Sequence, residues 1–144
     1  MAMKIRQLSN ITQDTVAAFE RLLPQLTHAR LTMAELEAII NSDNVFLFVA
    51  EEDEQILGTI TLATYRTLSG LKAWIEDVIV DESKRGEGIG QTLVQFALDF
   101  AQGMGIQKID LTSNPNRLAA NALYQKMGLS RRETNVYRFE TGLS

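Results

Sequence analysis

Gly86, Gly88 and Gly90 fall within five residues, with Arg85 before them and a helical pattern of apolar residues behind them. Glycine has no Cβ, so its backbone accepts positive φ and lets a ligand approach closely. A helix opening just after such a loop presents unpaired N–H groups and the positive end of its dipole. The combination suits an anion, above all a phosphate or pyrophosphate, and Arg85 adds a guanidinium that pairs with phosphate. The loop is not a GxxxxGK[ST] phosphate loop. Gly86-Glu87-Gly88-Ile89-Gly90-Gln91 reads GxGxGx rather than GxGxxG, so the third glycine of a dinucleotide fold is misplaced. Asp110 falls roughly where a ribose-binding acid belongs in that fold, but inside the next strand pattern. A tight turn that binds nothing is the plain structural alternative.

Other chemistries are closed by composition. The chain has 144 residues, no Cys and one His, His28. Disulfides, thiolate zinc sites and a cysteine nucleophile are therefore excluded, as is a multi-histidine metal site; the expectation is no metal. The charge is −4, from 14 Lys+Arg against 18 Asp+Glu. That balance argues against a general nucleic-acid surface. No apolar run approaches the length of a membrane span, and residues 1–10 lack a signal-peptide core. The expectation is a cytoplasmic protein with one domain over residues 1–144, binding neither nucleic acid nor membrane.

The glycine loop has to be held by its neighbours. Lys4 to Leu8 reads as a short strand. From Thr12 the apolar spacing is helical (Val16, Phe19, Leu22, Leu23, Leu26), with Pro24 stopping it. Thr32 and Glu35 form a capping box for a second helix running to about Ile40, with Leu31 and Leu36 as its hydrophobic staple. Val45–Ala50 reads as a strand and Glu51–Glu54 as a solvated hairpin tip. Ile56–Tyr65 alternates as a second strand, with Ile56, Gly58, Ile60 and Leu62 on one side. A loop at Arg66–Leu71 leads to a third strand, Ala73–Val80. The glycine loop follows it and opens a helix apolar on a wide face, ended by Gly103 and Gly105. Ile106–Thr112 is a further strand, Arg117–Met127 a helix closed by Gly128, and Val136–Glu140 a final edge strand. The order β-αα-βββ-α-β-α-β predicts an α/β fold with a mixed central sheet flanked by helices. The last edge strand leaves pairing between copies, a homodimer, open.

Two stretches then resemble the GNAT superfamily of acyl-CoA-dependent N-acyltransferases. Arg85, Gly88 and Gly90 match its central motif [Q/R]-x-x-G-x-[G/A]. Ala120-Asn121-Ala122-Leu123-Tyr124-Gln125-Lys126-Met127-Gly128-Leu129 is similar to its A-x-x-L-Y-x-K-x-G-F signature, with Leu129 in place of the usual aromatic. The element order agrees over nearly the whole chain. The resemblance implies a sheet splayed between strands 73–80 and 106–112, with acetyl-CoA entering the gap as cosubstrate. It implies that the pantetheine arm pairs with the backbone of Val78, Ile79 and Val80, and that the pyrophosphate lies on the amides of Arg85, Gly86, Glu87, Gly88, Ile89 and Gly90. The later loop and helix, with Asn114, Arg117 and Asn121, also touch the cosubstrate. Arg117 stands where the family usually has Asn, and Asn114 and Asn116 lie just upstream, so which of them makes the contact stays open.

The implied reaction moves an acetyl group to a primary amine, small molecule or protein, by direct attack. An alkyl ammonium must first lose a proton. Glu76 is the expected base, directly or through water. Alternation puts it on the face of Trp74 and Val78; Asp77 points the other way unless a bulge shifts the register. A backbone N–H near Val78 is the expected oxyanion donor. Tyr124 is the expected acid for the leaving thiolate. His28, Arg30, Tyr65, Arg66 and Trp74 fall where an acceptor pocket would be lined, although packing accounts for them too. A non-catalytic acyl-CoA-binding module on the same fold is the alternative.

Overall fold

The computed structural model describes residues 3–28 and 30–143. It divides into two compact units, residues 1–111 and 112–144.

The first unit is built on a five-stranded sheet in the order β1-β2-β3-β4-β5. The strands are β1 (Lys4–Gln7), β2 (Val45–Glu52), β3 (Gln55–Thr67), β4 (Gly70–Val80) and β5 (Ile109–Asp110). The first four pair antiparallel and β5 joins β4 in parallel, so the sheet is mixed as expected. Helices α1 (Gln13–Leu22) and α2 (Met33–Ile40) lie between β1 and β2 in the chain, and α3 (Ile89–Gly103) carries the chain from β4 to β5. Thr32 and Glu35 cap α2 reciprocally, and Thr12 and Thr15 do the same for α1. Pro24 falls in a turn of 3-10 helix, Leu23–Gln25, that ends α1.

Both faces of the sheet are covered. On one, Phe46 and Phe48 meet Phe96 and Phe100 of α3 edge-on or tilted, with centroids 5.0 Å apart. Gly58 lies on this face, and a Cβ there would sit 2.9 Å from the carbonyl oxygen of Ile79 and 3.2 Å from Leu93 Cδ1. Only glycine lets α3 come this close. On the other face, Phe19, Leu22 and Leu36 of α1 and α2 pack on Leu47, Val49, Ile56 and Ile79.

Several expectations need correction. Glu51 is not part of a solvated tip. It belongs to β2, is buried, and accepts from Arg6 at 3.0 Å and Lys4 at 3.4 Å. Those cations hold its carboxyl below the usual carboxylate range against the cost of burial. The tip is Asp53–Glu54, both at positive φ. Ile56 does not share a face with Gly58, because the β2–β3 register shifts between Ala50 and Glu51. The expected loop at 66–71 is a tight hairpin end within longer strands. The strand expected at 106–112 is paired only at Ile109–Asp110.

In the second unit, α4 (Leu118–Lys126) ends in a glycine cap: Gly128 takes φ 98°, and the Leu129 N–H donates to the Tyr124 carbonyl at 3.0 Å. The strand expected at 136–140 is absent, since residues 129–143 carry neither helix nor strand. Alternation alone does not make a strand. Tyr137 and Phe139 are 88% and 89% exposed, so their apolar area is not buried as a strand's would be. No described helix is long and apolar enough to cross a membrane.

Candidate active site

The glycine loop takes the conformation its composition calls for. Gly86 and Gly88 sit at φ 85° and 83°, and a Cβ on either would meet nothing within 4 Å. Gly88 is the N-cap of α3 and supplies no side-chain cap. The first helical bond from this end runs from Thr92 N–H to the Gly88 carbonyl, 3.0 Å. The preceding amides of the first turn have no helical acceptor. Arg85, Glu87 and Gly88 are exposed; Ile89 is buried and pins the helix start to the sheet. Backbone donors, positive φ and open space fit a diphosphate.

Two side-chain clamps brace this loop, one from α1 and one from the 3-10 turn that follows it. Arg21 Nε donates to Asp81 Oδ2 at 3.0 Å and Arg21 Nη2 to the Ile56 carbonyl at 2.6 Å. Asp81 also accepts from the Ser83 N–H at 3.0 Å and hydroxyl at 2.8 Å. Those Ser83 bonds, then Arg21, hold its carboxyl below the usual range. Arg85 Nη2 donates to Gln25 Oε1 at 2.9 Å, so its guanidinium is held at the loop entrance. These partners are 60 residues apart, and no local pattern could have revealed them.

The strand leading into the loop is irregular where chemistry was expected. Thr61 pairs with Glu76 and Thr59 with Ile79, so three steps on β4 answer two on β3. The extra residue is a bulge, with Asp77 at φ 51°. Partners across a ladder share a face, so Glu76 shares one with Trp74 and, past the bulge, with Ile79. The expectation that Val78 shares the face of Glu76 is thereby corrected. Ile79 turns into the α1–α2 core, while Glu76 is exposed. Asp77 is exposed by area, yet desolvation raises its carboxyl above the usual value. β4 pairs with β5 only at Ala73–Ile109 and Trp74–Asp110. From Ile75 to Val80 it has no β5 partner, and this divergence is the splay of the sheet.

In the second unit Asn121 Nδ2 donates to the carbonyls of Asn114 at 2.9 Å and Arg117 at 2.8 Å. Asn114 Oδ1 accepts from the Asn116 N–H at 3.1 Å. Both amides thus shape the turn into α4, leaving the exposed Arg117 side chain free of such duty. Tyr124 is half-buried. Desolvation raises its phenol above the ordinary value, and the charge of Arg117 offsets that in part.

The profile of the acetyltransferase (GNAT) family matches residues 9–129. The chain belongs to this family. It is similar to N-acetyltransferase 8B of Homo sapiens, 31% identical over 86 residues, 58% of this chain and 38% of that protein. N-acetyltransferase family 8 member 3 of Rattus norvegicus is 31% identical over 114 residues, 77% of this chain and 50% of that one. The chain thus spans half or less of these curated relatives. Among solved structures, a putative acetyltransferase from Agrobacterium tumefaciens superposes with TM-score 0.83 at 25% identity, covering 95% of this chain and 99% of that one. Glucosamine-6-phosphate N-acetyltransferase from Arabidopsis thaliana does so with TM-score 0.78 at 26% identity, covering 96% and 99%.

In this GNAT chain the glycine loop, the bulged strand and Glu76 are gathered in the first unit, and Asn114, Arg117, Asn121 and Tyr124 in the second. His28 is exposed between α1 and α2. Tyr65 and Trp74 were expected near an acceptor pocket, but the bond between them was not legible: Trp74 Nε1 donates to Tyr65 Oη at 3.0 Å across β3 and β4. Its only trace in the sequence is two ring-bearing residues on strands joined by a hairpin.

Proposed function

We propose that residues 1–144 act as one catalytic domain, an N-acetyltransferase that uses acetyl-CoA and a primary amine and works in the cytoplasm. The family match, which runs through both units, supports one domain. The observation that carries the reading is the start of α3: an N-terminus without a side-chain cap, preceded by two positive-φ glycines over open space. When bound, acetyl-CoA supplies a thioester already activated for transfer. The amides of residues 86–90 hold its diphosphate, since the Arg85 N–H already donates to the Glu82 carbonyl at 3.4 Å, and the stretch of β4 that has no β5 partner, Val78 to Val80, offers backbone partners for its extended arm on that side. Asn114, Arg117 and Asn121 are proposed to complete the cosubstrate contacts.

Glu76 removes a proton from the incoming ammonium, directly or through water. Its exposure lets the cationic form of the acceptor reach it. A backbone N–H beside the bulge donates to oxygen as negative charge builds there; such a donor is oriented before reaction. Tyr124 Oη holds the proton that the departing sulfur needs. The phenol carries its proton at neutral pH, as an unshifted tyrosine does, so it is available to donate.

The test is a thermal-shift series with CoA, acetyl-CoA, ATP and NAD, followed by thiol release over an amine panel. Ligand at 100 times its Kd should add about 2.7 kcal/mol to stability. CoA and acetyl-CoA should stabilise the chain and ATP and NAD should not. Stabilisation by NAD or ATP alone overturns the reading.

A further inference from the structure

The face of the sheet that carries Glu76 changes character along its length. At Thr59 and Ile79 it is buried under α1 and α2, at 2% and 4% exposure. From the next pair outward the cover stops. Thr61 and Ala63 are half-buried, Trp74 and Lys72 likewise, and Glu76 and Tyr65 are exposed. The opposite face of the same stretch stays closed, with Leu62, Ile75, Thr64 and Ala73 all buried. One side of the β3–β4 ribbon is therefore an open strip beside the proposed base.

The strip has an ordered chemistry. Glu76, Trp74 and Lys72 alternate along β4 on one face, each about 6.7 Å from the next. An acid, a ring and a cation follow one another outward. Tyr65 lies opposite Lys72 and diagonal to Trp74, and the indole N–H donates to its phenol oxygen at 3.0 Å. That bond ties the two aromatic side chains together by their polar atoms. A lone indole half in water needs no such partner to be satisfied; tying it to Tyr65 holds an apolar face in place.

We propose that Trp74 and Tyr65 form the platform for the acceptor, and that the acceptor is an amine carried on a ring-faced body. Its ammonium is drawn to Glu76, and its flat apolar face, an aromatic ring or the C–H face of an amino sugar, lies on the indole. Lys72 beyond the rings repels the ammonium and Glu76 draws it, while Asp110, opposite Trp74 on β5, adds a second carboxylate beside the indole. The proposal rests on Glu76 being the base and specifies what it receives.

Trp74 is the only tryptophan in the chain, so its emission reports the platform directly. The protein, with and without saturating CoA, is titrated with phenethylamine, glucosamine and n-butylamine. A saturable emission change is expected with at least one ring-bearing amine and none with n-butylamine at equal concentration. A response to phenethylamine alone identifies an aryl ring, and one to glucosamine alone a sugar face. In steady state the responding amine should exceed n-butylamine in kcat/KM by about tenfold. Trp74→Leu should erase that ratio with KM for acetyl-CoA unchanged, and Tyr65→Phe, which keeps both rings and removes only the bond, should reduce it severalfold. No emission change with either ring-bearing amine, parity with n-butylamine, or an unaltered ratio in both variants overturns the proposal. Failure of CoA to bind by calorimetry overturns the acetyltransferase reading instead, and the emission titration without CoA remains readable in that case.

Discussion

Glu76 and Tyr124 are asked for opposite proton transfers, and their settings differ accordingly. Glu76 stands in water on an open strand face; Tyr124 is half-buried and its proton is held more tightly for that reason. Replacing Glu76 with Gln should lower kcat at neutral pH by about 100-fold, with recovery at high pH as free amine becomes abundant. A pH–rate profile reads this; a loss independent of pH would assign Glu76 a structural role. Tyr124→Phe should slow turnover by about tenfold or more where chemistry is limiting, with calorimetric CoA affinity unchanged. Unaltered turnover in single-turnover experiments would remove Tyr124 from the reaction. Neither environment could be read from residue type. A Glu in an alternating strand and a Tyr on a helix are ordinary, and only the motif around Tyr124 marked it.

At the scale of elements, the capped helices and the glycine loop were legible because their signals are local. Thr32 and Glu35 lie three apart and bond each other; Gly86 and Gly88 need positive φ within the loop itself. What depends on distant partners was not. The arginine clamps bridge 60 residues; the Thr12–Thr15 box is local but lacks the usual Glu or Gln that marks the motif. The final strand shows the converse error, since the alternation at 136–140 is not matched by burial of its apolar residues. Glu51 shows how an acidic run misleads. Four successive acids look like a tip, yet the first is buried between Arg6 and Lys4 and ties β1 to β2. Glu51→Gln should cost about 1–2 kcal/mol at neutral pH, a charge-assisted bond discounted for the exposure of both cations. The folded carboxyl titrates below the unfolded one, so this contribution is present above the unfolded pKa and fades as pH falls through the folded one. Urea melts at neutral and strongly acidic pH should therefore differ between variant and parent at the first and converge at the second.

At the scale of the whole molecule, burial at the centre of the sheet fixes the register of β2, β3 and β4, since a slip by one residue turns a covered face outward. Against that constraint, the extra residue of β4 stands out. Glu76 answers Thr61 and Ile79 answers Thr59, so a chain lacking Asp77 would pair through Val78 opposite Ile60 in an unbroken ladder. Ile79 would keep its place under α1 and α2. The ladder itself therefore does not call for the extra residue, which puts Asp77 in left-handed geometry. Excising that single codon should yield a protein that melts no lower than its parent and still acetylates nothing, which separates what this chain needs in order to exist from what it needs in order to work.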